Sequence, residues 1–135
     1  MNVFKLLVCI LAAIPLTTGT IEFYQGVASQ QALGADLGDG FSDPALNNIF
    51  RFFAAIWVGF GVFLIIFVRN LERYSVPMTA ALAIVVIGGV GRIMSVVEFG
   101  LPEKQDTSIW VVICVEVVIV PAMLVWFVRA DKTGH

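Results

Sequence analysis

Charge is scarce in this chain, and histidine scarcer still. Lys, Arg, Asp and Glu together make up 13% of the 135 residues against 59% hydrophobic ones, and the mean hydropathy is +0.95. That leaves too little polar surface to cover a water-soluble globule of this size, so the expected solvent is lipid. The single histidine is the last residue, His135, so haem ligation, di-iron chemistry or an imidazole relay has no internal ligand set. No metal site, cofactor or catalytic residue is expected. The cysteines number two. Cys9 and Cys114 fall at different depths of the membrane, farther apart than the roughly 7 Å between α-carbons that a disulfide tolerates. A paired-thiol redox enzyme is therefore not expected, and both read as small apolar residues. The eight Lys and Arg residues stand singly and the net charge is -2, so no basic patch tracks phosphates and no nucleic-acid partner is implied.

What the chain does contain is long apolar runs. A membrane span takes about 20 predominantly apolar residues, and runs at about 3–19, 45–68, 75–99 and 108–128 satisfy that length. The fold class expected is all-α, an integral membrane four-helix bundle, with residues 1–135 forming a single transmembrane domain. The longest polar stretch, from Thr20 to Pro44, has the size of a loop and not of a second module. An alternative for the first run is a cleaved signal peptide, with Lys5 preceding Leu6–Ile14, although no A-x-A site follows. Cleavage would leave three helices and put the termini on opposite faces.

Lys and Arg outside the helices set orientation. Lys5, Arg69, Arg73, Arg129 and Lys132 fall at the amino terminus, the second turn and the carboxyl tail, whereas the first and third loops contain only Lys104. Both termini are expected to be cytoplasmic and the 20–44 loop between helices one and two extracytoplasmic, with Glu22, Asp36, Asp39 and Asp43 and no basic residue. Within it, Ile21–Leu33 reads as a short helix at the headgroups, presenting Phe23, Tyr24, Val27 and Leu33. The following Gly34–Asp43 stretch lacks the ligand spacing of an EF-hand and reads as a glycine-rich turn. Asp43 as N-cap and Pro44 at the first helical position start helix two, and Ser75 with Pro77 start helix three. Tyr24, Tyr74, Trp110 and Trp126 are expected at the membrane interfaces. Gly88, Gly89 and Gly91, with Ala80, Ala81 and Ala83, suit close helix approach.

Against this background the charges inside the apolar runs carry the chemistry. Counted at about 1.5 Å per residue, Arg92 and Glu116 lie at the same level, roughly 10–12 Å inside the outer ends of helices three and four. Charges at that depth turn inward, pair or line a wet cavity, so Arg92 is expected to face Glu116. Arg51 and Glu98 are candidates for a second pair nearer the surface, beside Asn47 and Asn48. Pro121 cannot donate to the carbonyl of Val117 and should bend helix four just below Glu116. The candidate ligand-binding or buried ion-pair residues are thus Arg51, Arg92, Glu98, Glu116, Asn47 and Asn48. A pair that only sets helix register is the bland alternative to a ligand or proton site.

The combination of Asp43-Pro44, Asn47, Asn48 and Arg51, Gly91-Arg92, Glu98-x-Gly100-x-Pro102 and Glu116 resembles a bacterial family of small four-helix membrane proteins catalogued only as a domain of unknown function. The resemblance covers roughly residues 20–128. It implies a four-helix fold in the bacterial inner (cytoplasmic) membrane, loosely similar to DoxX-like proteins, and it implies no activity. Two functional readings follow. The first is a non-enzymatic protein that binds a lipid, quinone or small ligand in a polar pocket in the outer half of the bundle, or serves as an accessory subunit. Membrane lipids are then its partners, with a homo-oligomer or a larger membrane complex. The second is a proton-coupled small-solute transporter or small membrane enzyme using Glu116 and Arg92.

Overall fold

The computed structural model describes residues 1–32, 34–101 and 106–133, which are mostly helical with no strand among them. Leu33, Pro102, Lys104 and His135, each used in the reading above, lie outside the described residues. Four helices are long and apolar enough to cross a membrane: Asn2–Gln25, Pro44–Arg69, Ser75–Phe99 and Ile109–Ala130. By length and hydropathy this is a multi-pass membrane protein. The chain divides into two compact units, Met1–Ile66 and Phe67–His135.

The first unit is built on α1 (Asn2–Gln25), the short α2 (Ala28–Ala32) and most of α3 (Pro44–Arg69). α1 buries Phe4, Val8, Leu11, Ala12, Pro15 and Gly19, a single face at helical spacing. Two glycines bring it close to α3: a Cβ on Gly19 would stand 2.9 Å from the Val58 side chain, and one on Gly61 would stand 2.8 Å from that of Leu16. α1 runs to Gln25, past the limit near residue 19 suggested by hydropathy. The reason lies in its threonines. The hydroxyls of Thr17 and Thr18 donate to the carbonyls of Ala13 and Ile14 at 2.7 and 2.9 Å, and Thr20 does the same to Leu16. Polar side chains satisfied within the helix do not end it.

The headgroup helix expected over 21–33 is therefore corrected. Ile21–Gln25 complete α1, Gly26 breaks the chain at φ 63°, and α2 is a separate five-residue helix. A 3-10 turn at Gly38–Ser42 leads to α3. There the Leu46 N–H donates to Asp43 Oδ1 at 2.7 Å, the N-cap bond that an Asp-Pro helix start calls for.

The second unit contains α4 (Ser75–Phe99), α5 (Asp106–Cys114), a π-helical turn at Val115–Ile119 and α6 (Val120–Thr133). The Ile109–Ala130 span runs through the last three without interruption. α4 buries Met78, Ala81, Leu82, Val85 and Gly89. From the other span Ile113, Glu116, Val120, Met123 and Phe127 are buried. Pro121 lacks the N–H that Val117 would receive in an α-helix. The chain accommodates this by widening one turn, in which Val120 N–H donates to the carbonyl of Val115.

Candidate functional site

The widened turn carries Glu116, and α4 carries Arg92 toward it. Gly89, one turn before Arg92, makes the meeting close: a Cβ there would lie 2.7 Å from Glu116 Cβ and 2.8 Å from Val117 Cγ2, so any larger residue would push the two spans apart. Arg92 Nε–H donates to both oxygens of Glu116, at 2.9 Å to Oε2 and 3.2 Å to Oε1. Both residues sit about 10 Å from the Phe99 and Ile109 ends of their spans, counted along the helices. The carboxylate is largely enclosed while the Arg92 side chain is 50% exposed.

That geometry uses the guanidinium sparingly. Both carboxylate oxygens engage the same nitrogen, which leaves the two terminal NH2 groups of Arg92 without an acceptor among the described residues. Arg92 lines an open cleft of about 330 Å³ together with Ser95, Val96, Phe99, Gly100, Leu101 and Ile109. Ser95 Oγ likewise has no hydrogen-bond partner among the described residues. The site thus offers a planar fork of donors, one hydroxyl and apolar walls, around an ion pair whose formal charges cancel. Among the described residues no group of three or more His, Cys, Asp or Glu could hold a metal ion.

The remaining candidates are placed differently. Asn47 and Arg51 act within the first unit, at the end of α1. Asn47 Oδ1 accepts from Val27 N–H at 3.1 Å, and its Nδ2 donates to the carbonyls of Phe41 and Asp43 at 3.0 and 3.1 Å. Arg51 donates from NH1 to the carbonyl of Phe23 at 3.2 Å, satisfying one of the acceptors that a helix end leaves open. Both crowd Gly26, where a Cβ would run into Asn47 Oδ1 and lie 3.0 Å from Arg51 Nε. A positive φ and this crowding together require glycine there. Asn48 is exposed on α3 and Glu98 is exposed near the Phe99 end of α4. Arg51 and Glu98 belong to different units, and Arg51 is engaged within its own.

Gly88, Gly89 and Gly91 are alike in composition, but the first and third have no described atom within 4 Å of a Cβ position. The distinguishing signal was available, since Gly89 continues the buried spacing of Leu82 and Val85. Ser95 shares the Arg92 face of the helix by spacing alone, whereas Phe99 and Ile109 join the cleft only once it is known which helix faces meet. No curated protein and no solved structure matches the chain. A family model matches residues 3–127, nearly the whole of the chain including Arg92, Glu116 and the residues lining the cleft, and on that match the protein belongs to the family described as Domain of unknown function (DUF4345).

Proposed function

We propose that the protein is a non-enzymatic, multi-pass protein of the bacterial cytoplasmic membrane that holds the polar end of a lipid-soluble ligand in the Arg92 cleft. The observation that carries this reading is the spare donor capacity of Arg92. A guanidinium about 10 Å inside a span, half exposed and bonded among the described residues through Nε alone, is better placed to receive a ligand than one enclosed to fix helix register. The positive-inside distribution of Arg69, Arg73 and Arg129 supports cytoplasmic termini, an extracytoplasmic 20–44 loop and a cleft in the outer half of the membrane. Kinship with DoxX-like proteins, a role as an accessory subunit, and assembly into a homo-oligomer or larger complex belong to the same proposal. Glu98, near the Phe99 end of the same helix, is a candidate for contacts to the ligand's outer parts, and Asn47, Asn48 and Arg51 form a separate candidate group within the first unit.

Gentle purification followed by native mass spectrometry tests it. Wild-type protein should carry a stoichiometric small molecule that the Arg92→Ala variant has lost. Equal retention by both would remove the cleft as the binding site. The alternative of proton-coupled transport or a small membrane enzyme draws on the enclosed carboxylate of Glu116 in a π-helical turn, a feature common at functional sites. Proton-coupled uptake in proteoliposomes that disappears in Glu116→Gln would favour it.

A further inference from the structure

The charge balance of the cleft narrows the ligand further. Arg92 would ordinarily advertise an anion site, yet Glu116 already supplies the neutralising charge at 2.9 Å. Among the described residues no other residue lining the cleft is charged. Glu98, the residue two before Gly100 on the same helix, adds a further carboxylate near the Phe99 end. A phosphate or carboxylate entering here would bring surplus negative charge into a low-dielectric region beside an existing carboxylate, at the cost of its own hydration. An uncharged acceptor escapes that penalty and still satisfies the donors.

Resting on the binding role proposed above, we infer that the cleft selects an uncharged carbonyl group, that of a ketone, ester or quinone, on a lipid-soluble molecule, over an anionic head group. The terminal NH2 groups of Arg92 supply several donors in one plane, and a carbonyl oxygen can accept up to two of them through its two lone pairs. Ser95 Oγ, one turn along α4, supplies a further donor toward the same space. Val96, Phe99, Leu101 and Ile109 form apolar walls for the hydrocarbon attached to that carbonyl. The volume of about 330 Å³ is at the lower end of ordinary ligand sites and suits a head of one small ring or a single branched carbonyl. Glu116 is a positioning residue in this scheme: it fixes the guanidinium through Nε and sets the net charge that the ligand meets.

The test uses full-length protein in phosphatidylcholine nanodiscs with two probes of similar chain length, 2-tridecanone and dodecyl phosphate. Wild type should bind the ketone at least about tenfold more tightly than the phosphate. Glu116→Gln, which leaves Arg92 as a net cation, should improve dodecyl phosphate binding by about tenfold or more while changing ketone binding far less. Because Glu116→Gln also destabilises the protein by removing the ion pair, Arg92→Lys provides a second variant that keeps the ion pair but lacks the planar fork. It should retain the wild-type melting temperature and lose ketone affinity by about tenfold. Tighter binding of dodecyl phosphate than ketone by wild type, abolished by Arg92→Ala, would overturn the charge-selection inference while sustaining the binding role. Failure of wild type to bind either probe, or binding indifferent to both Arg92 substitutions, would overturn both.

Discussion

Replacing Glu116 with Gln isolates what the ion pair contributes to stability. The substitution keeps the shape of the side chain in the π-helical turn and keeps one oxygen that can accept from Arg92 Nε–H, but it removes the charge held 2.9 Å away. At an effective dielectric constant of 20 and a charge separation of ~4 Å, the attraction lost is about 4 kcal/mol. Two effects reduce the net cost. The retained neutral hydrogen bond offsets about 1 kcal/mol, and the half-exposed Arg92 side chain can lift its head toward the Phe99 end instead of remaining unpaired. The expected destabilisation is about 2–3 kcal/mol, at the edge of the range measured when one partner of an enclosed pair is removed. Reversible unfolding in mixed micelles, followed by helical circular dichroism against the mole fraction of dodecyl sulfate, reads this directly. The double substitution Arg92→Met with Glu116→Leu removes both charges and should recover most of the loss, to within about 1 kcal/mol of wild type. A Glu116→Gln variant within about 0.5 kcal/mol of wild type, or a double variant as unstable as the sum of its singles, would refute the reasoning.

Three other outcomes follow from the same geometry. Gly89→Val should prevent tight packing of α4 on the π-helical turn and cost several kcal/mol, whereas Gly88→Ala, with no described atom nearby, should be neutral or stabilising by up to about 1 kcal/mol; melting temperatures of the two variants decide this. Asn47→Ala removes the three hydrogen bonds that tie Val27, Phe41 and Asp43 together and should cost about 2–3 kcal/mol, with proteolysis between residues 27 and 43 quickened before any cleavage elsewhere. Pro121→Ala restores the N–H that Val117 lacks and should draw the widened turn back to an α-helix; amide hydrogen exchange at residue 121 will show a protected proton, and Arg92–Glu116 coupling in a double-mutant cycle will fall.

How far the sequence disclosed these features depended on whether one helix or two had to be known. The spans were legible because apolar runs bounded by Asp43-Pro44, Tyr74-Ser75 and Gly100 need no partner to be recognised. Arg92 and Glu116 were brought to one level by counting from such boundaries, and depth alone suffices to pair rare charges in an apolar setting. The end of α1 was missed because Thr17, Thr18 and Thr20 look polar in hydropathy although their hydroxyls are bonded to the preceding turn. Arg51 was grouped with the other charges because its acceptor, the Phe23 carbonyl, is a backbone atom that no residue pattern exposes. Pro121 announced a disturbed helix, but whether it produces a kink or a π-helical turn depends on the packing around Glu116 and Gly89.

The occupant of the cleft is open to direct identification. A photo-crosslinking benzophenone amino acid at Ile109, on the cleft wall, would be irradiated in native membranes and its adducts identified by mass spectrometry. The account predicts one dominant adduct, a lipid-soluble carbonyl compound, that disappears when Arg92→Lys is combined with the Ile109 label. A mixture of bulk phospholipid adducts unchanged by Arg92→Lys would contradict it.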